Sequence, residues 1–119
     1  MPGGRFSEKT RGQIRLRSRG WCELCGLPLR EAAQIHHRRP RGMGGTRSTE
    51  TQSPANGLWV HFKCHEKIER YREESLKNGW LVPQGQPPHR TPVLTAWGWR
   101  LLDDQGFSTP SEPPSEPKN

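Results

Sequence analysis

Two short motifs with the same internal spacing constrain the fold of this chain more than any other feature. Cys22 and Cys25 form a C-x-x-C pair, and His61 and Cys64 form an H-x-x-C pair much later in the chain. Either pair alone is a weak signal, because a redox pair or chance would give the same letters. Together they supply three thiols and one imidazole, which is a standard tetrahedral set for zinc. The sequence therefore predicts a structural Zn²⁺ site that joins two distant parts of the chain.

The composition explains why a chain of this kind needs such a site. Only 29% of the 119 residues are hydrophobic, while 12 are proline and 13 are glycine. Burial of so little apolar surface does not easily offset the entropy lost when the chain is ordered. The three cysteines cannot all pair as disulfides, and no N-terminal apolar run suggests secretion. We therefore expect a reducing, cytoplasmic location, and no segment is apolar enough to predict a membrane span.

The charge of the chain favours a polyanionic partner. The net charge is +7 and the calculated pI is about 10.0, and DNA is the simplest partner for such a chain. An anionic lipid surface would require a basic helix with a clear apolar face, which the sequence lacks. Ser7–Arg19 is predicted to be a short basic helix with Ser7 as its N-cap and Gly20 as its stop. Its cations either face solvent or contact phosphate.

A second basic stretch lies between two predicted strands. Residues 32–37 and 57–62 favour strands, and residues 38–55 form a long irregular connection rich in glycine and arginine. This connection is either a solvated loop or a contact with the DNA backbone, and the neighbouring histidines favour the second interpretation. The predicted DNA-binding residues are Arg38, Arg39, Arg41 and Arg47.

The remaining pattern predicts a small α+β domain with tails. Cys64–Lys77 is predicted to be a helix ended by Asn78-Gly79, with Ile68, Tyr71 and Ser75 on its buried face. Within residues 80–107, WLVP and PVLTAWGWRLL are predicted to pair as a hairpin, followed by a turn at 103–106. The proposed boundaries are a flexible segment 1–6, a domain 7–107 with its core at 20–79, and a disordered tail 108–119 rich in proline, serine and glutamate.

The setting of the histidines resembles a known family. The segment begins IHHRRPRGMGG, continues through SPANGLWV and ends HFKCHEKIE, which places His37, Asn56 and His65 in the order of an HNH motif. It is similar to the small HNH endonucleases encoded by bacteriophages, especially those of actinobacterial hosts. The resemblance covers residues 20–79 and, more loosely, the C-terminal region. It implies a zinc-stapled ββα-metal fold and a metal-dependent DNA endonuclease or nickase.

The resemblance also implies roles for individual residues. His37 would be the general base, His36 and His65 the ligands of a catalytic Mg²⁺ or Mn²⁺, and Asn56 the residue that holds the loop and orients the base. Many relatives have an acidic residue in place of His36. Many also have a third ligand one helical turn after His65, where this chain has Glu69, which either binds the ion or simply faces solvent. Phage relatives further imply terminase or other packaging proteins as partners.

Hydrolysis of a phosphodiester is consistent with these residue types. A neutral imidazole can accept a proton from water near pH 7, because its ordinary pKa is about 6.5. Adjacent strand residues point to opposite faces, so His36 and His37 are expected to have separate roles. Two other hypotheses remain: a non-catalytic zinc-binding DNA adaptor and a zinc-stapled interaction module. The adaptor hypothesis explains the cysteines and the charge. It does not explain the grouping of His36, His37, Asn56 and His65.

Overall fold

The computed structural model describes residues 6–30, 33–40 and 52–114. They form a small α+β domain with a Cα radius of gyration of 13.4 Å. Within these ranges no helix is both long and apolar enough to cross a bilayer. The elements, in chain order, are α1 (Glu8–Ser18), β1 (Ala33–His37), β2 (Gly57–His61), α2 (Phe62–Arg70), α3 (Arg72–Lys77), β3 (Val93–Thr95), β4 (Gly98–Leu102) and β5 (Ser108–Pro110).

Helix α1 begins and ends where the sequence predicts. The side chain of Ser7 accepts a hydrogen bond from the Thr10 backbone N–H at 3.1 Å, which satisfies one of the free donors of the first turn. At the other end Arg19 and Gly20 adopt the left-handed conformation, with φ of 56° and 85°. The buried side chain of Ile14 anchors the helix to the domain.

Strands β1 and β2 form an antiparallel pair in which His37 lies opposite Gly57 and Ile35 opposite Trp59. Since side chains alternate along a strand, His36 faces one side of the hairpin while Ile35 and His37 face the other. A Cβ added to Gly57 would lie 2.5 Å from Ile14 Cδ1. Glycine is therefore needed here so that α1 can pack directly against the second face.

The predicted helix Cys64–Lys77 is two helices rather than one. Tyr71, at the break, has φ −108° and ψ 70°, and its side chain is 51% exposed. The placement of Tyr71 on the buried face is therefore wrong, although Ile68 and Ser75 are buried there as predicted. The Ser75 hydroxyl lies 2.8 Å from the carbonyl oxygens of both Ile68 and Tyr71, and it can donate its single proton to either of them.

The C-terminal region differs most from its prediction. WLVP is not a strand: the N–H of Leu81 donates to Ser75 and that of Val82 to Arg38. PVLTAWGWRLL divides into β3 and β4, and β5 completes an antiparallel meander. Residues 108–110 therefore belong to the folded domain and not to a disordered tail. The predicted turn is present, since Asp103 accepts the backbone N–H of Gln105 and Phe107.

The hydrophobic core lies between the hairpin, α2 and the meander. It includes one of the predicted zinc ligands, so the metal site and the core are continuous. The buried members of the core are Cys22, Ala55, Leu58, Val60, Ile68, Trp80, Leu81, Val93 and Leu102.

Candidate metal centres

The four residues predicted to bind zinc converge in the structure. The ligand atoms of Cys22, Cys25, His61 and Cys64 all lie within 4.8 Å of one another. The sulfurs of Cys22 and Cys64 are 3.6 Å apart, and the Cys25 sulfur is 3.4 Å from His61 Nδ1. These distances suit four ligands around one small ion. The cluster can therefore bind a metal ion such as zinc, and three thiols with one imidazole are the donor set that zinc prefers.

Local backbone structure orients the ligands of this Cys3His cluster. Gly26, with φ 79°, allows the turn in which its N–H donates to the carbonyl of Cys22 at 2.8 Å. His61 Nε2 lies 3.0 Å from the carbonyl oxygen of Pro28. Because a carbonyl only accepts, Nε2 carries the proton and Nδ1 presents its lone pair toward Cys25.

The ionisation of the thiols also favours a cation at this position. Burial opposes ionisation of Cys22, but hydrogen bonds from backbone N–H groups, that of Cys25 foremost, outweigh it and lower the pKa of Cys22 to about 7. Burial and the neighbouring Cys22 sulfur raise the pKa of Cys64 to about 12. Without a positive ion, the second thiol therefore stays protonated once the first is ionised. A bound metal ion allows both thiols to ionise, because its positive charge offsets the repulsion between the two thiolates.

A second cluster contains His36, His65 and Glu69. Their ligand atoms also lie within 4.8 Å of one another. The two imidazole centroids are 5.0 Å apart, and His65 Nε2 is 3.7 Å from a Glu69 carboxylate oxygen. His36 is buried, His65 half-buried and Glu69 exposed, so the cluster opens toward solvent. Glu69 follows His65 by four residues on α2, which places both side chains on the same face of the helix.

Hydrogen bonds select the ring nitrogens that face the second cluster. His36 Nε2 donates to the carbonyl of Trp80 at 2.8 Å, which leaves Nδ1 as a ligand atom. His65 Nδ1 donates to the side-chain oxygen of Gln34, which leaves Nε2. Burial, together with unfavourable electrostatic interactions with the neighbouring His65 and His37 rings, lowers the pKa of His36 to about 3. The ring is therefore neutral at physiological pH, as a metal ligand must be.

The predicted base, His37, lies on the opposite face of the hairpin from His36. Its ring stacks on Phe6, with centroids 4.1 Å apart and planes 12° apart. Asn56 is fully buried and fixes the chain immediately after His37. Its side-chain oxygen accepts the backbone N–H of Arg39 at 2.7 Å, and its amide donates to the Arg39 carbonyl at 3.0 Å.

The prediction that Arg38 contacts DNA is wrong. Its side chain is fully buried, and its guanidinium donates to the carbonyls of Ala55, Gly79, Pro88 and Thr91 at 2.7–3.1 Å. Burial lowers the pKa of Arg38 to about 9, so it remains a cation at neutral pH. Arg38 links the chain just after β1 to three other chain segments, at Ala55, at Gly79 and at 88–91, and is not available to phosphate.

The other predicted phosphate contacts divide into two groups. Arg39 is 4% exposed and donates to the carbonyl of Gln86, so its assignment to a DNA surface is also wrong. Arg41 and Arg47 lie outside the described residues. In α1 the side chain of Arg17 is internal and pairs with Glu23 at 2.7 Å, while Arg11, Arg15 and Arg19 remain partly or fully exposed.

Sequence reasoning missed the residues that support the clusters. Gln34 precedes His36 by two positions, so the period of a strand could have placed it on the same face. Nothing in the sequence indicates that the Trp80 carbonyl would orient His36, because that contact joins positions 44 apart. The stacking of Phe6 on His37 could not be predicted either, because these two residues are also far apart in the sequence.

Comparisons with known proteins provide no relative. No protein family, curated protein or solved structure gives a significant match to this chain. The two clusters and the elements that position them are therefore the features of this chain that point to a function.

Proposed function

We propose that this protein is a metal-dependent DNA endonuclease or nickase of the HNH, ββα-metal type. The observation that carries the proposal is the convergence of His36, His65 and Glu69 at the junction of a β-hairpin and the following helix. This cluster opens to solvent and supplies three protein ligands. A six-coordinate ion held by three ligands retains positions for a phosphate oxygen and water.

In this proposal each residue performs a distinct task. His36, His65 and Glu69 would hold Mg²⁺ or Mn²⁺, and the ion would supply Lewis-acid stabilisation of the negative charge that develops during phosphodiester hydrolysis. His37 would take a proton from the attacking water. Because His36 and His37 face opposite sides of the hairpin, this role requires the bound DNA to place that water at the edge of the hairpin, within reach of both. Asn56 fixes the backbone after His37 through its two bonds to Arg39, which supports the position of the base.

The zinc-type cluster has a positioning role in the same mechanism. Cys64 directly precedes His65, and His61 is the last residue of β2. An ion that ties both residues to Cys22 and Cys25 fixes the point where α2 begins. It thereby sets the position of His65 relative to the hairpin, and a structural zinc ion is suited to that task.

The proposed substrate and biological setting follow from the charge of the chain and from the family resemblance. The net charge of +7 favours DNA as the substrate. A role beside a terminase in phage DNA packaging rests on the family resemblance alone. Neighbouring terminase and portal genes would support it, and their absence would count against it.

Supercoiled-plasmid conversion tests the proposed activity. We expect the purified protein to nick plasmid with Mg²⁺ or Mn²⁺ and to be inactive without added divalent ion. His37→Ala should reduce the rate by about 10²- to 10⁴-fold, which is the usual contribution of a general base. The control is His89→Ala, a half-buried histidine that belongs to neither cluster. It should cut at the wild-type rate.

Two results would overturn the proposal. If folded wild-type protein and His37→Ala bind plasmid equally and neither cuts it with any divalent ion, a non-catalytic zinc-binding DNA adaptor is the better description. If His37→Ala and His89→Ala cut equally well, His37 is not the base.

Glu69 gives a second prediction about the same site. We expect Glu69→Gln to raise the Mn²⁺ concentration needed for half-maximal cleavage by about tenfold or more, because even partners of ligands contribute about that much affinity. The control is Glu66→Gln, since Glu66 lines the same opening but lies outside the cluster. Equal metal dependence of the two variants would remove Glu69 from the ligand set.

A further inference from the structure

A groove between α1 and the C-terminal meander is separate from both metal clusters. Its volume is about 640 Å³, which is within the range of ligand-binding sites. None of the cluster ligands lines it. The lining residues that carry exposed apolar or unpaired cationic groups are Leu16, Arg19, Trp21, Trp97, Arg100 and Phe107.

Three aromatic rings are unusually exposed in this groove. Trp21 is 44% exposed, Trp97 52% and Phe107 67%. Aromatic side chains that remain accessible in a concave surface can contact a ligand there. The rings come from three separate connections: the segment after α1, the β3–β4 turn and the β4–β5 turn. They therefore reach the groove from three different parts of the fold.

The accessible charge of the groove is positive. Arg17 and Glu23 also line it, but they pair with each other at 2.7 Å and each side chain is only 3% exposed. Their charges cancel. Arg19 and Arg100 remain, and no other carboxylate lines the groove within the part of the chain that the structure describes. The groove thus combines three exposed aromatic rings with two cations.

Hydrogen bonds fix the backbone that carries the rings. The Trp97 N–H donates to the Thr95 hydroxyl at 3.1 Å, and the Phe107 N–H donates to the Asp103 carboxylate at 2.8 Å. The Arg100 guanidinium is held along β5 by the hydroxyl and the carbonyl of Ser108. The surface is therefore formed before a ligand arrives, which reduces the entropy cost of binding.

We propose that this groove binds single-stranded nucleic acid. Bases would stack on Trp97, Phe107 and Trp21, and phosphates would pair with Arg19 and Arg100, which is how cationic, aromatic surfaces bind single strands without reading sequence. A nucleic acid fits this groove better than a protein helix, because the accessible charges are both positive and most of the exposed apolar side chains are aromatic. The proposal goes beyond the nuclease activity and does not require it, since the groove shares no residue with the proposed catalytic site.

Fluorescence anisotropy with a short fluorescein-labelled oligo(dT) tests the proposal. The protein is loaded with zinc, and no Mg²⁺ or Mn²⁺ is added, so that binding is measured without cleavage. We expect Trp97→Ala and Phe107→Ala each to raise the Kd for oligo(dT) by about 5- to 100-fold. Arg19→Ala should lower the slope of log Kd against log salt by about 0.7. The control is Tyr71→Ala, since Tyr71 is similarly exposed but lies outside the groove.

Ring replacement separates stacking from general apolar contact. Phe107→Tyr should keep the wild-type affinity for oligo(dT), while Phe107→Leu should lose as much as Phe107→Ala. Thermal melts establish that each variant is folded. If folded Trp97→Ala and Phe107→Ala bind oligo(dT) like Tyr71→Ala, the proposal fails. Sedimentation measures the oligomeric state of the same proteins. If the wild-type protein is a dimer, the two variants are monomers and their oligo(dT) affinity is unchanged, the groove is instead a contact between copies of the chain. Plasmid nicking is measured separately, so either proposal can fail while the other stands.

Discussion

Removal of the metal from the Cys3His cluster is expected to unfold the domain as well as to stop its activity. Structural zinc contributes on the order of 10–16 kcal/mol in small finger peptides. A whole domain is usually stable by only about 5–15 kcal/mol. Since the core of this domain includes Cys22 itself, loss of the ion leaves a buried thiol cluster and too little apolar packing to hold the hairpin against α2. Cys22→Ala should have the same effect.

Thermal melts followed by circular dichroism check this prediction. The zinc-loaded protein should show a cooperative transition, and both the chelated protein and Cys22→Ala should show none at room temperature and above. Glu69→Gln is the matched control, because it alters the other cluster and lies on an exposed surface. If the Cys22→Ala variant melts at the wild-type temperature, the cluster does not have the structural role proposed for it.

Replacement of Arg38 should produce the second large loss of stability. Arg38→Met keeps an apolar stem but leaves the carbonyls of Ala55, Gly79, Pro88 and Thr91 without this donor. Each buried acceptor left unsatisfied costs about 1–3 kcal/mol. Removal of a buried cation offsets part of that sum. We expect a net loss of about 3–5 kcal/mol, which is the usual effect of breaking a buried charged network.

Urea denaturation of the zinc-loaded protein measures this loss. Arg90→Met is the control, because Arg90 is exposed in the same part of the fold. Arg90→Met should change the urea concentration at the unfolding midpoint only slightly. Equal midpoints for Arg38→Met and Arg90→Met would show that the four carbonyls gain nothing from the guanidinium.

The parts of this protein that the sequence predicts are those fixed by short-range chemistry. Ser7 and Gly20 bound α1 because capping and left-handed turns depend on single residues. The C-x-x-C and H-x-x-C spacings identify the Cys3His cluster because each pair is one turn long. Glu69 joins His65 in a cluster for the same reason, since four residues make one turn of a helix.

The arginines show why charge is a poor guide to location. Arg38 and Arg17 belong to basic stretches that indicate a phosphate-contacting surface, yet both side chains are internal. Their partners are carbonyls and one carboxylate, and most lie far away in the sequence: Arg38 donates to Thr91, and Arg17 to Gly57. No local pattern encodes such contacts. A buried cation is therefore visible only once the whole fold is known.

The C-terminal region fails prediction because its partners are distant. WLVP has the composition of a strand, but its backbone groups are satisfied by Ser75 and Arg38. Gly79 further restricts this region, since a Cβ there would lie 2.0 Å from the Pro92 carbonyl oxygen. Residues 108–110 have a disordered composition, yet β4 offers them an edge on which to pair.

The bonds of Asn56 to Arg39 have a consequence for how this protein can change over evolutionary time. They hold the backbone at Arg39 against the Asn56 side chain, so the chain that joins these two residues has fixed ends. A longer connection between two fixed ends costs little to close, since a doubling in length costs only about 0.6 kcal/mol. The connection from Arg39 to Asn56 can therefore change in length over evolutionary time while the hairpin and its histidines stay in register.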